Sequence, residues 1–202
     1  MPKGERISEA LKEEEFEIPS DWRTYVEKRI KSRKDWYRFY ARYLEPICGE
    51  ATERDLNRAE KQGLLWRGMD PDHAFKILID HQDIGLESEH LANVTEEWRK
   101  SLPYGYTEKY PFNVVLGFRP RKDWEIRSAE ERLPKDIPEE ARKYERGNYN
   151  VKGELGLDDV VFIAVRFKGK EKGKPEEPLY YFVDRDKLEK VLEKEKKQKE
   201  RR

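Results

Sequence analysis

The run Leu64-Leu65-Trp66-Arg67-Gly68-Met69 constrains this chain more than any other stretch: an apolar strand ends in a cation and a glycine, and a helix start comes at once after it. Asp70 is placed to cap that helix and Pro71 suits its first position. Ala74, Phe75, Ile77, Leu78 and His81 give it one apolar face. Strand, Arg-Gly turn and capped helix make a single unit that delivers a guanidinium to the mouth of a cleft. There Arg67 either closes a structural ion pair or meets an anionic ligand. The apolar run before it, and the close backbone approach that Gly68 permits, favour the ligand.

Around this unit the chain reads as three regions. Residues 1–62 form a helical N-terminal region, an acidic arm followed by a basic aromatic helix; residues 63–184 form an α+β core; residues 185–202 form a charged C-terminal helix or tail. In the arm, Ile7, Leu11 and Phe16 are loosely periodic among glutamates, as in a docking helix or a mobile arm, and Ser20 is placed to cap the basic helix. Residues 21–44 show the strongest helical periodicity, with Trp22, Val26, Ile30, Tyr37, Tyr40 and Leu44 on one face. After Pro46, a helix opens at Thr52 and ends near Gly63. Asn93 or Thr95 is expected to cap a helix containing Trp98 and Leu102, and residues 103–106 read as an aromatic loop. Beta character dominates afterwards at Phe112–Phe118, Asn148–Lys152, Val160–Phe167 and Leu179–Val183, the last two as a hairpin. The expected fold is α+β: helices packed on a mixed, mostly antiparallel sheet, closed by a C-terminal helix whose Lys/Glu end frays.

Composition narrows the function. Charged residues make up 43 % of the chain, yet Lys plus Arg and Asp plus Glu both number 43, so a basic patch must be local. Rare glutamine (Gln62, Gln82, Gln198), a single cysteine and abundant Glu, Lys and Arg match proteins of hot environments. One cysteine, Cys48, cannot form an intramolecular disulfide and reads as a small buried hydrophobe. His73, His81 and His90 lie eight and nine residues apart, which is not the spacing of a metal pair on one helical face, so no metal is expected. No apolar run is long enough to span a bilayer, and the N-terminus lacks an apolar signal core. A cytoplasmic protein with no membrane partner is expected.

Three segments, in order, resemble the ADP-ribosyltransferase-like superfamily. Residues 64–69 with the helix from Pro71 are similar to its first core strand, with the NAD-contacting arginine. Asn93-Val94-Thr95-Glu96-Glu97-Trp98 is similar to its Ser/Thr segment, and residues 148–160 have the cadence of its late hairpin and final core strand. Together they span roughly half the chain. The resemblance implies split sheets with NAD, as substrate, in the cleft between them, and a protein or nucleic-acid acceptor. Arg67 would hold a phosphate of NAD beside Gly68. Thr95 would support the first strand or the nicotinamide pocket, and Tyr104 or Tyr106 would stack on the nicotinamide. The family's catalytic glutamate would fall at Asn148. Glu145, three residues earlier, or Glu154, beyond Gly153, would have to supply the carboxylate that stabilises an oxocarbenium-like ribose. Transferase activity, or a degenerate nucleotide-binding descendant, is therefore expected.

A second reading is non-enzymatic: a nucleic-acid-binding or assembly protein of a thermophilic virus or mobile element. Between Trp22 and Tyr43 eight basic residues face two acidic ones. Arg23, Lys28, Lys31, Lys34, Arg38 and Arg42 alternate with Tyr25, Trp36, Phe39 and Tyr43, which would let cations track phosphates while rings stack on bases. The competing structural account is a solvated charged face over a core-packed aromatic stripe.

Overall fold

The computed structural model describes residues 21–87, 93–169 and 176–201. The acidic arm, Ser20 and His90 lie outside them.

The segment 21–44 is two helices rather than one: α1 (Trp22–Arg29) and α2 (Arg33–Phe39), the second running into a π-helical turn at Tyr40–Leu44. Its periodicity is real, but it contains a second helix start. Asp35 carboxylate accepts from the Lys31 backbone N–H at 3.0 Å and from the Ser32 hydroxyl at 2.9 Å, so Ser32 caps α2 while Ile30 turns to extended backbone. The break drives Ile30 and Trp36 inward; both are fully buried. Asp21 caps α1.

Strand β1 (Cys48–Glu50) comes next, then α3 (Glu53–Glu60), held by a reciprocal capping box between Thr52 and Asp55. After it lie β2 (Leu65–Met69), α4 (Pro71–Leu78) capped by Asp70, β3 (Ile84–Gly85), β4 (Val94–Thr95) and α5 (Trp98–Ser101). Glu97 is the residue at the start of α5, in place of Asn93 or Thr95, and the Glu60 carboxylate from α3 accepts the Trp98 N–H at 2.7 Å. The second half holds β5 (Phe112–Phe118), β6 (Glu125–Ser128), α6 (Ala129–Arg132), α7 (Glu139–Glu145), β7 (Asn148–Lys152), β8 (Glu154–Leu155), β9 (Val160–Phe167), β10 (Leu179–Val183) and α8 (Arg185–Glu200). The charged C-terminal run is helical through Glu200.

Eight strands make one sheet in the order β1-β10-β9-β5-β2-β4-β7-β6, antiparallel at every junction, and β3 pairs with β8 in a separate two-stranded antiparallel sheet. The fold is α+β. β1 joins the sheet against β10, so the N-terminal region contributes a strand to the core as well as helices.

Both faces of the sheet are covered, and all seven residues of β5 are buried. One face packs Trp36, Phe39, Tyr40, Phe75, Phe112 and Tyr181 into an aromatic cluster. Trp36 donates from Nε1 to the Tyr181 hydroxyl at 2.8 Å, and Tyr40 stacks on Tyr181 at 4.5 Å. The opposite face packs Leu56, Ala59, Trp66, Trp98, Val115 and Ala164 beneath α3 and α5. Burying each large ring stabilises the fold by roughly 1.5–3 kcal/mol, so the aromatic residues of 21–44 act as core. Among the described residues, no helix is long and apolar enough to cross a membrane.

Candidate functional site

Alternation along β2 sends its side chains to opposite faces. Leu65 and Met69 enter the aromatic core, and Trp66 enters the core under α3 and α5. Arg67 therefore lies on the aromatic-core face and Gly68 on the face of Trp66. Arg67 Nη1 donates to the Leu86 carbonyl at 3.1 Å, and no carboxylate of the described residues comes within ion-pair distance of it. Burial weakens its hold on the proton, and the Asp70 charge opposes that effect. Asp70 is itself engaged, accepting the His73 N–H at 3.0 Å and lying 2.6 Å from His73 Nδ1. Leu86 O also accepts from Asn93 Nδ2. That amide reaches Val151 O at 2.9 Å, while Asn93 Oδ1 takes the Val151 N–H at 2.9 Å, clipping the start of β4 to β7.

The other face gathers four of the expected residues. Trp66 pairs directly with Thr95, and Thr95 with Asn148, forming one cross-strand row over β2, β4 and β7. Thr95 is buried, and its hydroxyl accepts the Glu97 N–H at 3.3 Å. Asn148, also buried, donates its amide to the Tyr144 carbonyl and to Glu145 Oε2, both at 3.2 Å. Gly147, at φ +78°, turns the chain from α7 into β7 and thereby sets Glu145 beside Asn148.

Tyr104 reaches the same face from the loop after α5. A Cβ on Gly68 would lie 2.2 Å from Ser101 O and 2.7 Å from Tyr104 O, so the close approach that Gly68 allows is that of this loop. Gly105, at φ +82°, packs equally tightly on the Met69 backbone, and Asn113 donates to the carbonyls of Leu102 and Tyr104. With its backbone hydrogen-bonded, Tyr104 as a residue is still 55 % exposed. The neighbouring Tyr144 hydroxyl, then burial and the Glu145 charge, push the Tyr104 pKa up.

Thus Gly68, Thr95, Tyr104 and Glu145 lie together with Asn148, and Arg67 lies across the sheet from them. Tyr106 is tied to β9 through its hydroxyl and Arg166 O at 3.3 Å, with the Lys168 ammonium 5.7 Å from its ring. Glu154 is exposed on the small β3–β8 sheet opposite Gly85. Tyr144 is a member of this group that sequence reasoning misses; its one signal is its place just before the Gly147 turn.

The basic residues of 21–44 are largely engaged. Arg23 pairs with Asp80, Arg33 with Glu176 at 2.7 Å, and Lys31 Nζ donates to Glu27 O at 3.2 Å. Lys34 and Arg38 also have partners, while Arg42 lies beside the Tyr43 hydroxyl and Lys28 is exposed. Tyr25, Trp36 and Phe39 are buried and Tyr43 is half-buried against Phe39, so these rings serve packing. No metal-binding cluster occurs among the described residues. An open groove of about 420 Å³ runs along α8 beside Asp158, Arg185, Leu188 and Leu192, apart from the residues above.

No protein-family model matches this chain, nor does any curated protein or solved structure.

Proposed function

We propose that this chain is an ADP-ribosyltransferase-like domain that binds NAD or a related nucleotide at the rim of the β2–β4–β7 row, where Tyr104 and Glu145 reach the surface. The observation that carries the reading is adjacency. The three separate segments picked out by resemblance lie side by side in the sheet, with Trp66, Thr95 and Asn148 in one cross-strand line.

Chemistry at such a site breaks the bond between ribose C1′ and the nicotinamide nitrogen. Nicotinamide leaves with the bonding pair, and an acceptor nucleophile takes its place on C1′. A carboxylate lowers the barrier by offsetting the positive charge that develops on the ribose. The Asn148 amide is uncharged and cannot do this. Glu145, 3.2 Å from that amide, is the carboxylate to which this reading gives the role. Glu154 belongs to the separate two-stranded sheet and is the natural control.

The test is nicotinamide release from NAD by wild type, Glu145→Gln, Glu154→Gln and Arg67→Ala, with folding of each checked by circular dichroism. Release that is lost in Glu145→Gln and kept in Glu154→Gln supports transfer. NAD binding without release defines a degenerate nucleotide-binding domain. Absence of both in folded wild type ends the proposal.

A further inference from the structure

β6 ends the sheet: it pairs with β7 on one side and with no strand of the described residues on the other. Asn93 reveals which of its backbone groups face that open side. The Asn93 side chain takes the Val151 N–H and donates to the Val151 carbonyl, both at 2.9 Å, and its backbone N–H donates to the Tyr149 carbonyl at 2.9 Å. Val151 and Tyr149 thus turn their backbone toward β4. Ile126 lies directly opposite Val151, and the members of such an antiparallel pair point their backbone groups away from each other. The Ile126 N–H and C=O therefore face outward, and among the described residues neither meets a partner.

The side chains around Ile126 are self-complementary. Glu125, Ile126 and Arg127 are all exposed, Ile126 at 40 % although Val151 opposite it is fully buried. Glu125 and Arg127 share one face of the strand and pair with each other. Edge charges commonly repel a second sheet, but here they alternate in sign about an apolar residue. A two-fold axis at Ile126 sets Ile126 against its own copy and each Glu125 against the partner's Arg127. Both outward groups of Ile126 are then exchanged, and both charges gain a cross-strand partner. The other edge, β1, lacks this symmetry: the same operation about Gly49 sets Cys48 against Glu50.

We infer that β6 is a self-pairing edge through which two copies of this chain join as a reversible homodimer, their sheets running on as one. Antiparallel pairing keeps the same face of both copies on one side, so Thr95 and Asn148 of each lie on a shared surface. A four-residue strand makes a small contact, and the dimer is accordingly concentration-dependent.

Sedimentation equilibrium of the full chain over a range of concentrations tests this. Wild type should approach twice the single-chain mass as concentration rises. Ile126→Pro removes the outward N–H and takes no bond from β7, so it should stay monomeric with its circular dichroism unchanged. Glu125→Arg and Arg127→Glu each set like charges together at two places and should weaken self-association roughly tenfold or more. Mixed with each other, these two variants regain opposite charges at both places and should associate more tightly than either does alone. The charge variants decide by themselves if Ile126→Pro does not fold. Wild type that stays monomeric up to its solubility limit overturns the inference. So does a dimer that folded Ile126→Pro leaves unweakened, or a mixture that associates no better than its parts.

Discussion

Glu145 and Asn148 face each other at 3.2 Å, Oε2 to Nδ2, across the turn from α7 into β7. An amide serves this position structurally because it donates to Glu145 and to the Tyr144 carbonyl together. Asn148→Glu would replace that donor with a second carboxylate at a buried site. We predict a loss of about 1–3 kcal/mol at neutral pH, from like-charge repulsion and the cost of burial. Both effects raise the carboxylate pKa in the folded state. The variant's stability is then greatest below the ordinary carboxylate range and falls as pH rises through the elevated value. Urea midpoints across the acid-to-neutral range measure this, and a midpoint equal to wild type at neutral pH would refute it.

Gly68 is the second pressure point. A methyl group there would press on the backbone carbonyls of Ser101 and Tyr104, which cannot swing away as a side-chain end can. Gly68→Ala should cost roughly 1–3 kcal/mol, the usual range for overpacking. Hydrogen exchange should rise through residues 101–106 before it rises in β5. Unchanged protection in that loop would show that the contact does not hold it.

The buried titratable groups set an alkaline limit. Burial pushes the Cys48 thiol from 9.0 up to about 12. It also raises Tyr40 and Tyr181 well above the ordinary phenol value, with the Trp36 hydrogen bond partly opposing the effect on Tyr181. Each group binds its proton more tightly when folded. The stability this provides is complete below the unfolded pKa and is lost as pH rises, for Cys48 between 9.0 and about 12. We expect the melting temperature to fall progressively above pH 9, and Tyr40→Phe to soften that fall while changing the neutral-pH value little. Alkylation of Cys48 at mildly alkaline pH should be slow and should accelerate with denaturant. Fast labelling of the native protein would contradict its burial.

Much of this fold can be read directly. Val160–Phe167, Phe112–Phe118, Asn148–Lys152 and Leu179–Val183 are strands where β-branched and aromatic runs predict them, and Asp70-Pro71 does start a helix. The aromatic stripe of 21–44 misleads in one respect: its spacing continues through Ile30–Ser32, while Ser32 and Asp35 locally favour a new helix start. Three-residue β1 carries no periodicity and exists because β10 offers an edge. The candidate site is half legible. Gly68, Thr95, Tyr104 and Glu145 meet, but residue order alone does not reveal that Arg67 projects to the other side of the sheet. That depends on which face α3 and α5 cover, and long-range packing decides it.

Arg121 and Asp159 supply the last prediction. Nε reaches Oδ1 at 2.8 Å and Nη2 reaches Oδ2 at 2.7 Å, while Oδ2 also takes the Gly156 N–H at 3.0 Å. The Asp159 side chain is 10 % exposed and that of Arg121 35 %, so the carboxylate is the partner that depends on the pair. Arg121→Ala strands a nearly buried negative charge. Fully buried pairs lose roughly 3–5 kcal/mol in this way, and discounting for the wetter arginine leaves about 2–3 kcal/mol. Arg121→Lys keeps the charge but loses the two-point geometry and should fall between wild type and alanine. Chemical denaturation of the three proteins at neutral pH checks the ranking. An alanine variant as stable as wild type would mean that the ion pair does not hold the turn before β9.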